Sequence, residues 1–226
     1  MSIRDNLKKI NDYLEGTPCK LIGVTKTKPV EDILEAYDAG LKKIGENKVQ
    51  ELVEKYEVLP ESCRGDIEWH MIGHLQTNKV KYIAPFISFI HSVDSMKLLK
   101  EINKQAAKHD RIVLCLLQIH IADEETKFGL SFSEAEALLQ DEDFSYLKNI
   151  IVAGLMGMST FTNDTDKIRR EFKSLKDFFD KLKALFFFDS KDFTEISMGM
   201  SGDYKIAMEE GSTMIRVGGA IFGERI

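Results

Sequence analysis

Two stretches at opposite ends of the chain hold the residue types that could do chemistry. Near the start, "KLIGVTKTKP" carries an aliphatic run, residues 20–25, straight into Lys26. An ammonium just past the end of a buried strand is partly desolvated, which lowers its pKa and frees the amine as a nucleophile toward aldehydes. Near the end, "SMGMSGD" (197–203) and "IRVGGAIFG" (215–223) are small-residue turns that each approach a helix start. Backbone N–H groups exposed in such turns bind phosphate, and glycine lets the chain come close to an anion. Ser201 adds a hydroxyl donor, while Gly218 and Gly219 offer bare backbone.

An amine and a phosphate cradle across one mouth suit a phosphorylated aldehyde, with pyridoxal 5′-phosphate (PLP), held as a Schiff base, the leading candidate. The residues alone leave alternatives open. Lys28, Lys48, Lys79 and Lys127 rival Lys26, and single glycines are commonly turn or packing residues. A PLP-free class I aldolase using Lys26 on a sugar phosphate is one competing function, and a true PLP enzyme is another. His70 and His74 lie four apart on a strand-to-loop segment without an HExxH pattern, so no metal site is expected. Met156, Met158, Met198 and Met200 fit barrel filler first and ring packing second.

These residues need elements to position them. Helical spacing at 3–15 stops at Gly16 with Pro18 behind it. Short apolar runs then alternate with helical ones: strands near 20–25, 42–46, 66–73, 86–93, 111–121, 149–158, 193–199 and 213–219. The helices between include 75–84, 164–186, one capped by Ser95 and one with a capping-box pattern at Ser133 and Glu136. Strands alternating with helices pair in parallel through right-handed crossovers. Eight such units after one extra N-terminal helix predict an α/β fold, a single (β/α)8 TIM-type barrel over residues 1–226; a doubly wound open sheet is the competitor. In such barrels the working face is the carboxyl end of the strands, where Lys26, Asn47, His74, His91, Ser201 and Arg216 fall.

Composition bounds the function. A formal charge of −6 argues against a nucleic-acid partner. No run approaches a membrane span, and three widely spaced cysteines read as reduced thiols of a cytoplasmic protein.

The motifs "GVTKTKP", "IGENKVQE", "WHMIGHLQTNK", "HSVDS", "TKFGL", "GLMGM" and "ISMGMSGDYKIAMEEGSTMIRVGGAIFGER", in this order, resemble the pyridoxal phosphate homeostasis family, whose barrel is similar to the N-terminal domain of alanine racemase. The resemblance implies that Lys26 is the Schiff-base lysine. It places Ser201, Gly218 and Gly219 on the phosphate and Arg216 opposite the pyridine nitrogen. Asn47 and His74 line the mouth, and Ile72 and Met198 pack on the ring. It implies PLP binding in vitamin B6 and amino-acid balance without established catalysis, apo PLP enzymes as candidate recipients, and a monomer. Racemases of this fold add a C-terminal domain and a partner subunit that supply a second base, and neither is visible here. Met158-Ser159 and "LFFFDSKDFTE" depart from the family pattern away from these contacts.

Overall fold

The computed structural model describes residues 2–123 and 128–223, so Lys127, Glu224 and part of "TKFGL" lie outside the described residues. Helix α1 (Ile3–Leu14) opens on a capping box: the Ser2 hydroxyl accepts from the Asp5 amide and the Asp5 carboxylate accepts from the Ser2 amide. Then follow β1 (Lys20–Val24), α2 (Val30–Asp38), β2 (Lys43–Glu46), α3 (Val49–Val58), α4 (Glu61–Arg64), β3 (Glu68–Met71), α5 (Val80–Ile83), β4 (Phe89–Val93) and α6 (Met96–Ala107). The chain continues through β5 (Val113–Ile119), α7 (Phe132–Gln140), β6 (Ile150–Gly157), α8 (Thr165–Phe186), β7 (Glu195–Ser197), α9 (Tyr204–Glu209), β8 (Met214–Val217) and α10 (Gly219–Phe222).

The eight strands close into a barrel in chain order, every neighbouring pair parallel. The open-sheet alternative is ruled out by β1 pairing with β8, from Lys20 opposite Met214 to Gly23 opposite Val217. Parallel strands covered on both faces explain the nearly continuous apolar runs. Side chains alternate between two cores. Leu21, Ile44, Trp69 and Ile196 face the helices, together with the inner faces of α1, α3, α6 and α8. Ile22, Phe89, Leu116, Ala153, Met156 and Met214 fill the barrel interior.

Two expectations shift. The helix expected at 75–84 is a 3₁₀ turn (Thr77–Lys79) followed by the single turn of α5. The cap of α7 is Ser131 with Glu134 rather than Ser133 with Glu136. Leu130 still exchanges backbone bonds with Gln118 and His120, so the chain is free to turn into a helix immediately after it. The aromatic run before β7 forms a stack in which Phe193 lies 4.1 Å from Phe187 and 4.7 Å from Phe179.

One glycine is required by the barrel. Between β5 and β6 the register slips: Cys115 faces Val152 but Leu116 faces Gly154, so Ala153 is an extra residue. The bulge puts Gly154 at φ +153°, and a Cβ there would stand 1.8 Å from the carbonyl oxygen of Glu195. Gly154→Ala is therefore expected to lower the unfolding free energy by ~1–3 kcal/mol or more, the cost of an overpacked core, and with it the denaturant midpoint. A midpoint equal to the parent protein's would show that β7 can move away at no cost.

Candidate functional site

Strand register decides what surrounds Lys26. Val24 faces Gly45 on β2, and Gly23 faces Val217 on β8. Counting on from these pairs, Lys26 comes level with Asn47 on one side, while Val24 and Thr25 come level with Gly218 and Gly219 on the other. Gly218 is pressed against β1: a Cβ there would meet the Val24 carbonyl oxygen at 3.1 Å and the Val24 Cβ at 3.3 Å. Lys26 itself is half-buried in the turn after β1.

That turn is held from below by a buried ionic cluster. The Lys55 ammonium, on α3, donates to the Thr25 carbonyl (2.6 Å), to Glu46 (2.7 Å) and to Glu51 (2.6 Å). The Thr25 hydroxyl donates to Glu46 (2.5 Å), and Glu51 accepts from the Thr27 amide (2.5 Å). Thr27 sits at φ +63°, a left-handed conformation unusual for a β-branched residue. Strain of this kind persists only where neighbours over-determine it, and here the neighbours flank the candidate lysine. Two carboxylates share one ammonium, and burial pushes Glu46 above the usual carboxylate range while Lys55 pulls it down. Lys28, by contrast, donates to the Phe222 carbonyl at 2.9 Å and ties the same loop to α10.

The two glycine turns meet at the end of the β1–β8 seam. In the β7 turn, Gly199 has φ +94° and its backbone packs on Tyr204 and Ala207, where a Cβ would come within 2.6 Å of the Ala207 Cβ. Asp203 folds the turn back, accepting from the Met200 amide (2.5 Å) and the Ser159 hydroxyl (2.7 Å). The result leaves Ser201 exposed, with its hydroxyl accepting from the Ala220 amide at 3.4 Å across to the β8 turn. Around Gly219 there is open space: the nearest atom to an added Cβ is the Ser201 Oγ at 4.0 Å. α1 supports this corner through Asn6, whose side-chain amide donates to the Ile221 carbonyl at 2.9 Å.

Beneath the mouth, Arg216 points into the barrel and is 4% exposed. Its guanidinium donates to the Ser197 hydroxyl (2.6 Å) and the Gly157 carbonyl (3.1 Å). Burial lowers its pKa to about 10, with Asp203 pulling the other way, so it is cationic at neutral pH. An ion pair with Asp203 is a conceivable structural role for this arginine, but the Asp203 oxygens are taken by Met200 and Ser159; Glu224 lies outside the described residues. Behind Ser197 stand His91 and His70, both fully buried.

The other expected site residues divide. The Asn47 Oδ1 is buried with no hydrogen-bond partner among the described residues, as expected of a group awaiting a ligand. Ile72 faces the interior, its Cδ1 3.1 Å from where a Gly45 Cβ would be. His74 is on the rim, 3.4 Å from Asp94 and beside the Phe128 ring. Met198 is a correction: it is fully buried among the side chains between strands and helices, because the inward position is taken by its neighbour Ser197. Met200 and Met158, each 39% exposed, are the methionines that reach the surface here. Among the described residues no His, Cys, Asp or Glu side chains gather as metal ligands. Sequence reasoning missed Lys55, Glu46 and Glu51 as supports and Ser197 as the partner of Arg216. The Glu51–Lys55 spacing of four, with Lys55 on the same helix face as Leu52, was the available signal.

Lys55→Met should cost about 3–5 kcal/mol, because it strands a buried carboxylate; denaturant unfolding would read this. At the lower rim, Glu68 is held down to about 2, from an ordinary value of 4.5, by the His70 ring and then by Lys43. Its folded pKa is depressed, so its contribution to stability is complete above 4.5 and is lost as pH falls toward 2. Glu68→Gln should flatten stability against pH within that window, and an unchanged acid limb would contradict the assignment.

A family model described as the alanine racemase N-terminal domain matches residues 1–226. A pyridoxal phosphate homeostasis protein of Aquifex aeolicus is 41% identical over 212 residues, covering 93% of this chain and 89% of that one. The Escherichia coli protein of the same name is 32% identical over 232 residues, 99% and 97% of the two chains. Among solved structures, PipY of Synechococcus elongatus without PLP superposes with a TM-score of 0.88 at 32% identity, covering 98% of this chain and all of that one. The same protein with PLP bound gives 0.86 at 31%, with the same coverage. An alanine racemase of Clostridium difficile, 17% identical with a TM-score of 0.75 over 99% of this chain and 56% of its own, shares the fold. By sequence along its whole length and by the shape of its barrel, this chain belongs to the pyridoxal phosphate homeostasis proteins, within the family built on the alanine racemase N-terminal domain.

Proposed function

We propose that residues 1–226 act as one PLP-binding domain that holds the vitamer and buffers its reactive aldehyde, without turnover. The carrying observation is the β1–β8 pairing, which sets the half-buried Lys26 turn and the exposed Ser201 and Gly219 turns at the same end of one seam, above a buried cationic Arg216. The relatives' names and the PLP-bound PipY structure support the same reading. The residues fit the group: a bare cradle at Gly219, a buried orphan acceptor on Asn47, and a lysine whose loop is clamped by Lys55. Bound PLP would supply an aldehyde that condenses with the Lys26 amine, releasing water, and a ring that can act as an electron sink. Ser201, Gly218 and Gly219 would hold the phosphate, Asn47 and Ile72 the ring's flank.

Arg216 explains the absence of turnover in this reading. A guanidinium only donates hydrogen bonds, and its charge opposes protonation of a pyridine nitrogen facing it. An unprotonated ring is a poor electron sink, so the site favours retention over carbanion chemistry. The three cysteines are free and buried, in keeping with a cytoplasmic protein, and we expect a monomer that hands PLP to apo enzymes.

After incubation with PLP and borohydride reduction, peptide mapping should place the adduct on Lys26. An adduct on Lys28, Lys48 or Lys79, or a protein that emerges colourless from gel filtration, would overturn the reading. Ser201→Ala should weaken PLP retention about 10–100-fold, the worth of a hydrogen bond to a charged group. An α-deuterated amino acid should lose label no faster than with free PLP, and enzyme-dependent exchange would instead mark a catalyst.

A further inference from the structure

A chain of polar groups crosses the barrel interior behind Arg216, and its ends fix its direction. The Arg216 Nη1 lies 2.6 Å from the Ser197 Oγ, which lies 2.9 Å from the His91 Nδ1. The His91 Nε2 lies 2.8 Å from the His70 Nδ1, and the His70 Nε2 lies 3.1 Å from the Glu68 Oε1. This last contact is off-axis and leaves the nitrogen without a well-formed hydrogen bond. Lys43 pairs with Glu68 at the lower rim.

Arginine can only donate, and an ionised carboxylate can only accept. If the His70 Nε2 were bare, two acceptors would face each other at 3.1 Å, so its proton is on Nε2. In a neutral ring the His70 Nδ1 then accepts, which places the proton of a neutral His91 on Nε2. The His91 Nδ1 must accept in turn, and the only proton left to give is that of the Ser197 hydroxyl. With both rings neutral, every donor–acceptor choice is settled by the Glu68 end.

We propose that His91, acting through Ser197, is a positioning residue for Arg216. Donation runs one way, from Arg216 through Ser197 and His91 to His70, whose Nε2–H faces Glu68, and holds the charged fork in place beneath the mouth. The claim about the ring nitrogen rests on the PLP reading above; the direction of the chain does not. Among the described residues Arg216 has no carboxylate at ion-pair distance; Asp203 favours its charge from farther away, and the aligned dipoles running toward Glu68 add to that. Both imidazoles are neutral: burial lowers their pKa values, and the charges facing them are Lys20, Lys43 and Glu68 for His70, and Arg216 for His91. Phe89 stacks on His70 at 5.3 Å and closes the side of the chain against water.

The test uses the whole protein with ¹⁵N-labelled histidine, without PLP. Both rings should be neutral and protonated on Nε2 from about pH 6 to about pH 8, although free imidazole titrates in that range. A proton on Nδ1 of either ring overturns the chain. Ser197→Ala removes one oxygen and should loosen PLP about tenfold, consistent with the loss of one charge-assisted bond, and shift the pH titration of the bound vitamer's visible band. His91→Gln can accept from Ser197 and donate to His70, so it should restore both readouts, whereas His91→Leu should lose them while unfolding no more easily. Equal behaviour of the Gln and Leu variants would reduce His91 to a space-filling residue. A parent protein with the expected tautomers that does not retain PLP would overturn the proposed function and leave the chain standing.

Discussion

Closure of the sheet between its first and last strands is the constraint on which the site depends. Four register pairs join β1 to β8, and they bring the strand end that carries Lys26 to the same end of the barrel as the two glycine turns of the last thirty residues. Neither half of the site has meaning alone. The lysine has no anion cradle within its own βα unit, and the cradle has no amine. Backbone hydrogen bonding across the seam is what brings two distant motifs to one end of the barrel, and α1 and Lys28 reinforce that seam by binding the carbonyls of α10.

A second theme is how polar groups are kept inside a barrel that is otherwise packed with Ile, Leu, Phe and Met. Buried charge is tolerated only when paired and hydrogen-bonded. The barrel meets this condition in two separate ways. Outside the strands, Lys55 gathers Glu46, Glu51 and the Thr25 carbonyl into a compact ionic knot under the Lys26 loop. Inside, Arg216 is satisfied by a hydroxyl and a backbone carbonyl and communicates with Glu68 only through neutral rings. The first arrangement locks backbone, including the strained Thr27; the second locks a side-chain fork. Together they hold the floor and one wall of the mouth rigid while Ser201, Gly219 and Met200 stay open to solvent.

Much was legible in the sequence because its signals are local. Alternating apolar periodicity specified eight βα units and their order, the extra first helix, the cap at Ser95 and the long amphipathic helix 165–186, since each depends on residues within a turn or two. The glycine turns and Lys26 could also be placed at strand ends from the chain alone. Family motifs then added roles that periodicity does not carry. What only the tertiary structure decided depends on which way a side chain points and on what lies across the sheet. A one-residue change of parity exchanges interior for shell, which is why Ser197 reaches Arg216 and Met198 is drawn into the helix-side core. The bulge at Ala153, the pairing of Lys55 with a strand-end glutamate, and the line from Arg216 to Glu68 join residues up to 148 positions apart (216 − 68), and no local pattern encodes their contact.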